Sequence, residues 1–323
     1  MNENTPIYIS DLTQLKVLVY LIGYFDQGES VIILLQNGEG KVLYSLVVDS
    51  YEVDGINKTT EILDAMGAKP IDVLCWTHPD ADHSIGLEKI IAGFCNKKSQ
   101  VLLPYGLVEG VKIKDLGDVA PVIKQVFDLG NQMRKPVCSV AAHLKQYNLI
   151  SRFSLIDGFD RELSVTIRAL APNNEYILDK IVSKGEVEKN DLSVVLVIDI
   201  GPYRFLLTGD AEKMMINKMS PKDYQDPIWV KIPHHSSTSS ANLVDFLLSG
   251  NSTQVLSGTT MKKASALPHP DVIGLYKGFC AQVNATGSLL IEPTERYGMV
   301  TYCFDLFGTK TVRIHCDGNA VKL

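Results

Sequence analysis

The chain has 323 residues, 31 of them basic and 37 acidic, for a formal charge of −6 at neutral pH, with 46% hydrophobic and 21% charged residues. This composition excludes intrinsic disorder and a fibrous protein, and at about 150 residues per domain it admits one large domain or two ordinary ones. The acidic balance argues against a protein that coats nucleic acid by charge alone, because counterion release needs clustered Lys and Arg, but it leaves room for a metal-dependent enzyme acting on phosphates.

Met1 to Asn4 lack the basic and apolar regions of a signal peptide. The apolar stretch from Val17 to Phe25 falls short of the roughly 20 residues that span a bilayer. No membrane segment and a cytoplasmic location are therefore expected. Lys16–Phe25, Val31–Leu35 and Val42–Val48 are strand-length apolar runs separated by Gly-containing turns, which predicts antiparallel sheet. Thr59–Met66 is patterned as a helix ended by Gly67, Ile71–Thr77 as a buried strand, and Leu87–Phe94 as a helix. From about 100 to 160 there is helical patterning near Ala120–Met133 and no chemical motif, so this stretch is expected to be an insertion or cap on a single domain spanning 1–323. Alternation then resumes, with strands at Val165–Leu170, Ser193–Ile200, Tyr203–Leu207, Ile228–Ile232 and Gln254–Leu256, and helices at 211–218, 241–248 and 271–278. Strand-rich halves with helices to cover one face of each predict a layered α/β sandwich. The six scattered cysteines form no C-x-x-C pair and are expected to be reduced thiols that bind no zinc by themselves.

Five of the seven histidines fall at predicted strand ends or in the Leu267-Pro268-His269-Pro270 turn; His143 and His315 lie elsewhere and are expected to be incidental. The sequence His78-Pro79-Asp80-Ala81-Asp82-His83 follows a buried strand. Without a cation its two carboxylates would crowd like charges, whereas divalent ions would neutralise them and use the imidazoles as ligands. Leu207-Thr208-Gly209-Asp210 is a second strand end carrying a carboxylate, and Ile232-Pro233-His234-His235 a third, carrying adjacent histidines.

This H-x-D-x-D-H, G-D and H-H series resembles the metallo-β-lactamase fold, in the variant found in the soluble hydrolase domain of ComEC-type competence proteins, where Asp80 stands in place of a histidine. Supporting similarities are Asp26-Gln27-Gly28-Glu29-Ser30, Val47-Val48-Asp49-Ser50, Asn190-Asp191-Leu192-Ser193 and Leu267-Pro268-His269-Pro270, while Ser236 departs from the glycine of H-H-G-S. The resemblance implies a four-layer αβ/βα sandwich with a metal site at one edge between the two sheets. It implies two divalent ions, Zn or Mn with Mg as a further candidate. His78 and Asp80 would bind one, Asp82 and His83 the other, with Asp210 bridging and either His234 or His235 completing the second site. Asn190 or Asp191 would reach the first metal directly or through water, and His269 would donate a hydrogen bond in the transition state. Two ions roughly 3.5–4 Å apart could hold a hydroxide and clamp the attacking and departing oxygens.

A carboxylate at position 80 favours harder ions than an all-histidine site would. The expected activity is metal-dependent hydrolysis by a phosphodiesterase or nuclease, on a short or single-stranded nucleic acid or a nucleotide. The competing expectations are a carboxylic ester, lactone or amide hydrolase on the same site, and a non-catalytic binding module. Lys231, Lys262 and Lys263 are the local cations that could meet phosphate, although a lysine pair is commonly a solvated face.

Overall fold

A computed structural model of the chain describes residues 6–132, 137–247, 255–307 and 312–323; Met133, Leu248 and Gln254, assigned above to elements, lie outside them. In chain order the first half runs β1 (Ile7–Ile9), β2 (Lys16–Tyr24), β3 (Glu29–Gln36), β4 (Val42–Val48), α1 (Lys58–Ala65), β5 (Val73–Cys75), α2 (Leu87–Phe94), β6 (Gln100–Pro104), α3 (Ala120–Gln132) and β7 (Val137–Val140). The second half runs β8 (Asn148–Asp157), β9 (Glu162–Ala171), α4 (Asn174–Lys184), β10 (Val195–Ile200), β11 (Tyr203–Leu207), α5 (Lys213–Ile216), β12 (Trp229–Lys231), α6 (Leu243–Leu247), β13 (Leu256–Thr259), α7 (Pro270–Lys277), β14 (Gln282–Ala285), β15 (Tyr297–Asp305), β16 (Val312–Gly318) and β17 (Val321–Lys322).

Among the described residues these strands form two sheets, in the orders β16-β15-β2-β3-β4-β5-β6-β7 and β1-β8-β9-β10-β11-β12-β13-β14-β17. The uninterrupted apolar character of β2 follows from burial on both faces. Val17, Val19 and Leu21 enter the layer between the sheets with Ile33, Leu46, Phe205 and Trp229. Leu18, Tyr20 and Ile22 face the other way, packed with Leu63, Ile90 and Phe94 of the helical layer. The second sheet repeats the device: Leu206 and Val230 turn away from the centre toward Ile177, Val244 and Tyr276 of α4, α6 and α7. The result is the four-layer αβ/βα sandwich.

Two differences from the sequence reading matter. The stretch 100–160, expected as an insertion or cap, is woven into the sandwich: β6 and β7 extend one sheet and β8 the other. Its weak apolar patterning reflects strands near the sheet margins, where β8 is only half-buried along much of its length. The hairpin β15–β16 was not foreseen, although β15 alternates intermediate and buried residues along its length, the signature of a strand with one face in the core.

Strands β4 to β7 run parallel to one another, as do β11 to β14. Parallel strands bring their carboxyl ends to one edge, where loops can converge on a site. Strand β3 is antiparallel to β4, with Val31 opposite Val48, so its beginning at Glu29 lies at the same edge.

Candidate metal centre

Asp49 leaves β4 in a left-handed conformation, φ 59°, and points its carboxylate at the loop that follows β5. That carboxylate accepts from the Thr77 backbone N–H at 2.7 Å, from Thr77 Oγ1 at 2.6 Å and from His83 Nδ1 at 2.7 Å. A hydroxyl has a single hydrogen, and that of Thr77 is spent on Asp49. The 3.0 Å contact between Thr77 Oγ1 and His78 Nδ1 therefore has the imidazole as donor. Both rings, when neutral, carry their hydrogen on Nδ1 and a bare lone pair on Nε2.

The loop after β11 comes in against this turn. Gly209 has φ 51°, and a Cβ there would lie 3.2 Å from Thr77 Cβ and from the Val194 carbonyl oxygen, a tight fit in a strained conformation, so glycine favours the close approach of Asp210. After β12, His234, His235 and Ser236 are successively left-handed, with φ of 48°, 50° and 66°. Three such residues in a row store strain that the surroundings must hold, a pattern associated with functional sites. The winding turns both histidines toward Asp210: its Oδ2 lies 3.5 Å from His235 Nε2 and 3.9 Å from His234 Nε2. His83 Nε2 lies 3.5 Å from Asp210 Oδ1, and His78 Nε2 4.0 Å from Asp210 Oδ2. Thr260 Oγ1 donates to Glu29 Oε2 at 2.5 Å, so its 2.7 Å contact with His235 Nδ1 again makes the imidazole the donor.

His78, His83 and His235 are thus alike. Each is fully buried, with Nδ1 held by a neighbour and Nε2 lacking any hydrogen-bond partner. All three Nε2 atoms face carboxylate oxygens, including Asp82 Oδ2 at 3.1 Å from His235 Nε2. A lone pair turned on a carboxylate in a buried site is repulsive unless positive charge lies between them. Holding Nδ1 through a carboxylate or hydroxyl is also how proteins prepare a histidine to ligate through Nε2. The residues present therefore fit divalent metal.

Glu29, His83, Asp210 and His235 offer donor atoms all within 4.8 Å of one another. Glu29 is also engaged by the buried Lys231 ammonium at 2.7 Å and by Thr260, and Asp82 Oδ2, 3.1 Å from His235 Nε2, brings a further carboxylate to the same cluster. In the metal-free chain, burial opposes charge on His83 but Asp210, Asp49 and Asp82 outweigh it and hold its pKa well above the ordinary value. Burial, reinforced by the His83 charge, pushes His78 down to about 3. Burial disfavours charge on Asp210 as well, yet His235, His83 and Lys231 hold it well below the usual carboxylate range.

The remaining sequence candidates divide. Asp80 sits at the rim, 30% exposed, where its Oδ1 accepts from the Ala81 N–H at 2.9 Å and pairs with Lys189 Nζ at 3.1 Å. Asn190 Nδ2 lies 3.5 Å from His234 Nε2, so it joins the site beside the outer histidine, whose Nδ1 is held by Ser239 Oγ at 3.0 Å and Glu212 Oε1 at 3.1 Å. Asp191 faces away, bound to Tyr176 Oη at 2.7 Å and Lys180 Nζ at 3.0 Å. His269 caps α7: its Nδ1 accepts from the Asp271 N–H at 3.3 Å, its ring is 40% exposed, and its backbone N–H bonds the Ser236 carbonyl at 3.2 Å.

The lysines differ among themselves. Lys263 lies over the Phe25 ring at 4.3 Å, while Lys262, far from a solvated face, puts its ammonium 2.6 Å from Asp82 Oδ2. Asp49, Thr77, Thr260 and Glu212 were missed as site residues. Only the strand-Asp and D-Q-G-E-S turns hinted at the first and at Glu29, and no local signal marks an isolated threonine that orients a distant histidine. A cavity of about 440 Å³ is lined by Phe25, Gln27, Tyr51 and Arg296, and none of the candidate ligands lines it.

No protein-family profile matches the chain, and no curated protein sequence matches it either. Among solved structures, the metallo-β-lactamase fold protein YhfI from Bacillus subtilis is similar at 10% identity, covering 83% of this chain and 95% of that one, with a TM-score of 0.44. Zn²⁺-bound PqqB from Methylobacterium extorquens is similar at 12% identity, covering 66% of this chain and 71% of that one, TM-score 0.38. A mutant of the β-hydroxylase CmlA shows 17% identity over 70% of this chain, which spans only 37% of that protein, TM-score 0.37. The architecture is an αβ/βα sandwich with a candidate metal centre at one edge between its sheets. No helix among the described residues is long and apolar enough to cross a membrane.

Proposed function

We propose that the protein is a cytoplasmic metal-dependent hydrolase of phosphodiesters, acting on short or single-stranded nucleic acid or on a nucleotide. The observation that carries this reading is the convergence of three buried imidazoles, each locked at Nδ1 and unpartnered at Nε2, on Asp82 and Asp210. Asp82, His83 and His235 would hold one ion, His78 with the rim carboxylate Asp80 the other, and Asp210 would face both; Asn190 and His234 lie together at the edge of the cluster. When bound, two divalent ions acidify water and neutralise charge on the phosphoryl oxygens.

The chain's own residues supply the rest. Asp49, Thr77, Thr260 and Glu29 fix the imidazole orientations, so the donors need not reorganise during the reaction. Asp82, buried among these donors, would be the carboxylate that orients an attacking water. In neutral His269 the Asp271 N–H occupies Nδ1, which places the ring hydrogen on Nε2, the arrangement needed to donate to an oxygen of the substrate or leaving group. Support for a phosphodiester over a carboxylic ester comes from the ammonium groups of Lys189 and Lys262, which pair with Asp80 and Asp82 within the same cluster. A phosphorane-like transition state spreads charge over several oxygens, and these cations suit it better than a single oxyanion.

The test is a rate comparison on protein loaded with Mn²⁺, Mg²⁺ or Zn²⁺, using bis(p-nitrophenyl) phosphate and single-stranded oligonucleotides against p-nitrophenyl esters and lactones. Diester cleavage that exceeds ester cleavage and disappears on chelation is expected. Turnover of esters or lactones with every diester left intact would replace this reading with a carboxylic ester or lactone hydrolase.

A further inference from the structure

Lys262 is placed by a tight loop: its backbone N–H donates to the Leu267 carbonyl and its carbonyl accepts from the Leu267 N–H, both at 3.1 Å. From this fixed point the side chain, 15% exposed, reaches into the cluster and sets Nζ 2.6 Å from Asp82 Oδ2. The same oxygen lies 3.1 Å from His235 Nε2, one of the unpartnered imidazole nitrogens. The lysine head therefore shares an oxygen that a divalent ion would take.

The neighbouring cations are held differently. Lys231 is 1% exposed and tied to Glu29 Oε1 at 2.7 Å and the Gly209 carbonyl at 2.8 Å. Lys263 stacks on Phe25, and Lys189 pairs with the rim carboxylate of Asp80. Lys231 also lies 3.5 Å from Asp210 Oδ1, but it is fully enclosed and locked by Glu29 and Gly209; of these four, Lys262 is the one whose shortest contact is to Asp82 and whose side chain reaches the site from the partly exposed rim. An ammonium and a divalent cation on one carboxylate oxygen repel each other, so occupancy by the metal weakens the lysine contact. The lysine head is compact and its four-carbon stem flexible, so once released it can turn within its tethered radius to another anion. On the proposed function, on which this inference rests, Asp210 and Asp80 would be engaged by metal as Asp82 is, and the substrate phosphate would be the anion left for it.

We propose that Lys262 is a partner-switching residue: it neutralises Asp82 in the metal-free chain and, once metal takes that carboxylate, binds a non-bridging oxygen of the phosphodiester. It would then do two jobs, preserving the folded cluster before metal arrives and tying substrate binding to metal loading.

The test uses the full chain with Lys262→Met and Lys262→Arg, each first checked for native secondary structure and a cooperative unfolding transition, with lower metal-free stability expected for Lys262→Met because Asp82 loses its counter-charge. Calorimetric titration of chelator-stripped protein with Mn²⁺ alone should show Lys262→Met binding at least about tenfold tighter than wild type, because the competing ammonium is gone. Inorganic phosphate should bind metal-loaded Lys262→Met about tenfold more weakly, and Lys262→Arg should recover part of that loss. Unchanged or weakened Mn²⁺ affinity in Lys262→Met would overturn the proposal, and so would tighter Mn²⁺ binding with unaltered phosphate affinity. If both titrations behave as expected but the wild type cleaves no diester, the phosphodiesterase reading fails alone; if the wild type cleaves diesters and the titrations show no difference, the switch fails alone.

Discussion

The turns that follow β5 and β12 deliver imidazoles to the same carboxylate by different physical means. After β5 the ring orientations are set from outside, by Asp49 and Thr77 gripping His83 and His78 at Nδ1. After β12 they are set largely from within, by three consecutive left-handed residues that swing His234 and His235 to the Asp210 side. Side-chain grips can be cut by one substitution without touching the ligand itself, whereas the course of a backbone-wound turn depends less on any single side-chain contact, even though Thr260 and Ser239 also hold the Nδ1 atoms of His235 and His234. The contrast separates substitutions that should disable the centre from those that should not.

Asp210→Ala removes the carboxylate that all four imidazoles face, and it should give the largest effect. We expect a loss of at least about 100-fold in diester kcat/KM, or ~2.7 kcal/mol, with Asn190→Ala losing less than about tenfold under the same saturating metal. A variant at 210 that kept more than a tenth of the wild-type rate would contradict a shared carboxylate.

Asp49→Ala should come next. Without it His83 loses its Nδ1 acceptor and the Thr77 N–H is left unsatisfied, and outer contacts of this type are worth roughly 10–100-fold in metal affinity. Competition against a chelator of known affinity measures this, and unchanged affinity would mean that the grip from Asp49 does not orient the ligand.

Acidity acts on the same turn. The folded, metal-free chain holds the His83 pKa above its ordinary value, against burial and through Asp210, Asp49 and Asp82, so this ring is charged over a wider pH range than a free histidine. Metal needs the bare Nε2, so binding must release that proton, and apparent affinity should rise with pH and fall on acidification. Calorimetry in two buffers of different ionisation enthalpy should show net proton release near neutral pH. Metal uptake with no proton release would show that His83 is already neutral or is not a ligand.

Ser236→Gly should have the smallest effect and probes the wound turn. Relief of a left-handed non-glycine residue, worth roughly 1–2 kcal/mol, is offset by the lost Ser236 Oγ to Thr259 Oγ1 hydrogen bond and by the greater freedom of glycine in the unfolded chain. Urea unfolding should shift by no more than about 1 kcal/mol, with metal affinity retained. A tenfold loss of affinity would show that the hydroxyl, rather than the backbone, places His235.

The same contrast governs what could be read from the sequence. His78, Asp82, His83, Asp210 and the histidine pair were legible because each sits within a few residues of a strand end and strand ends share an edge. The choice between His234 and His235 was not legible, because it turns on left-handed backbone at three non-glycine positions; the structure puts His235 in the buried donor set and His234 beside Asn190. Asp191 matched the same strand-start pattern as Asn190, yet Tyr176 and Lys180, brought near by α4, draw it away. Lys262 looked like half of a solvated lysine pair because nothing local reveals that the 262–267 loop lays its side chain on Asp82. The stretch 100–160 concealed strands whose partners lie far away in the chain, β8 pairing with both β1 and β9.

The central claim is that the unpartnered Nε2 atoms of His78, His83 and His235 are metal ligands. Elemental analysis of protein purified without chelator, followed by Mn²⁺ and Zn²⁺ titration of the stripped chain, tests it directly. Two divalent ions per chain are predicted for the wild type, with loss of at least one on His83→Ala or His235→Ala. A wild type that takes up no stoichiometric divalent ion, or variants that bind as many as it does, would contradict the account.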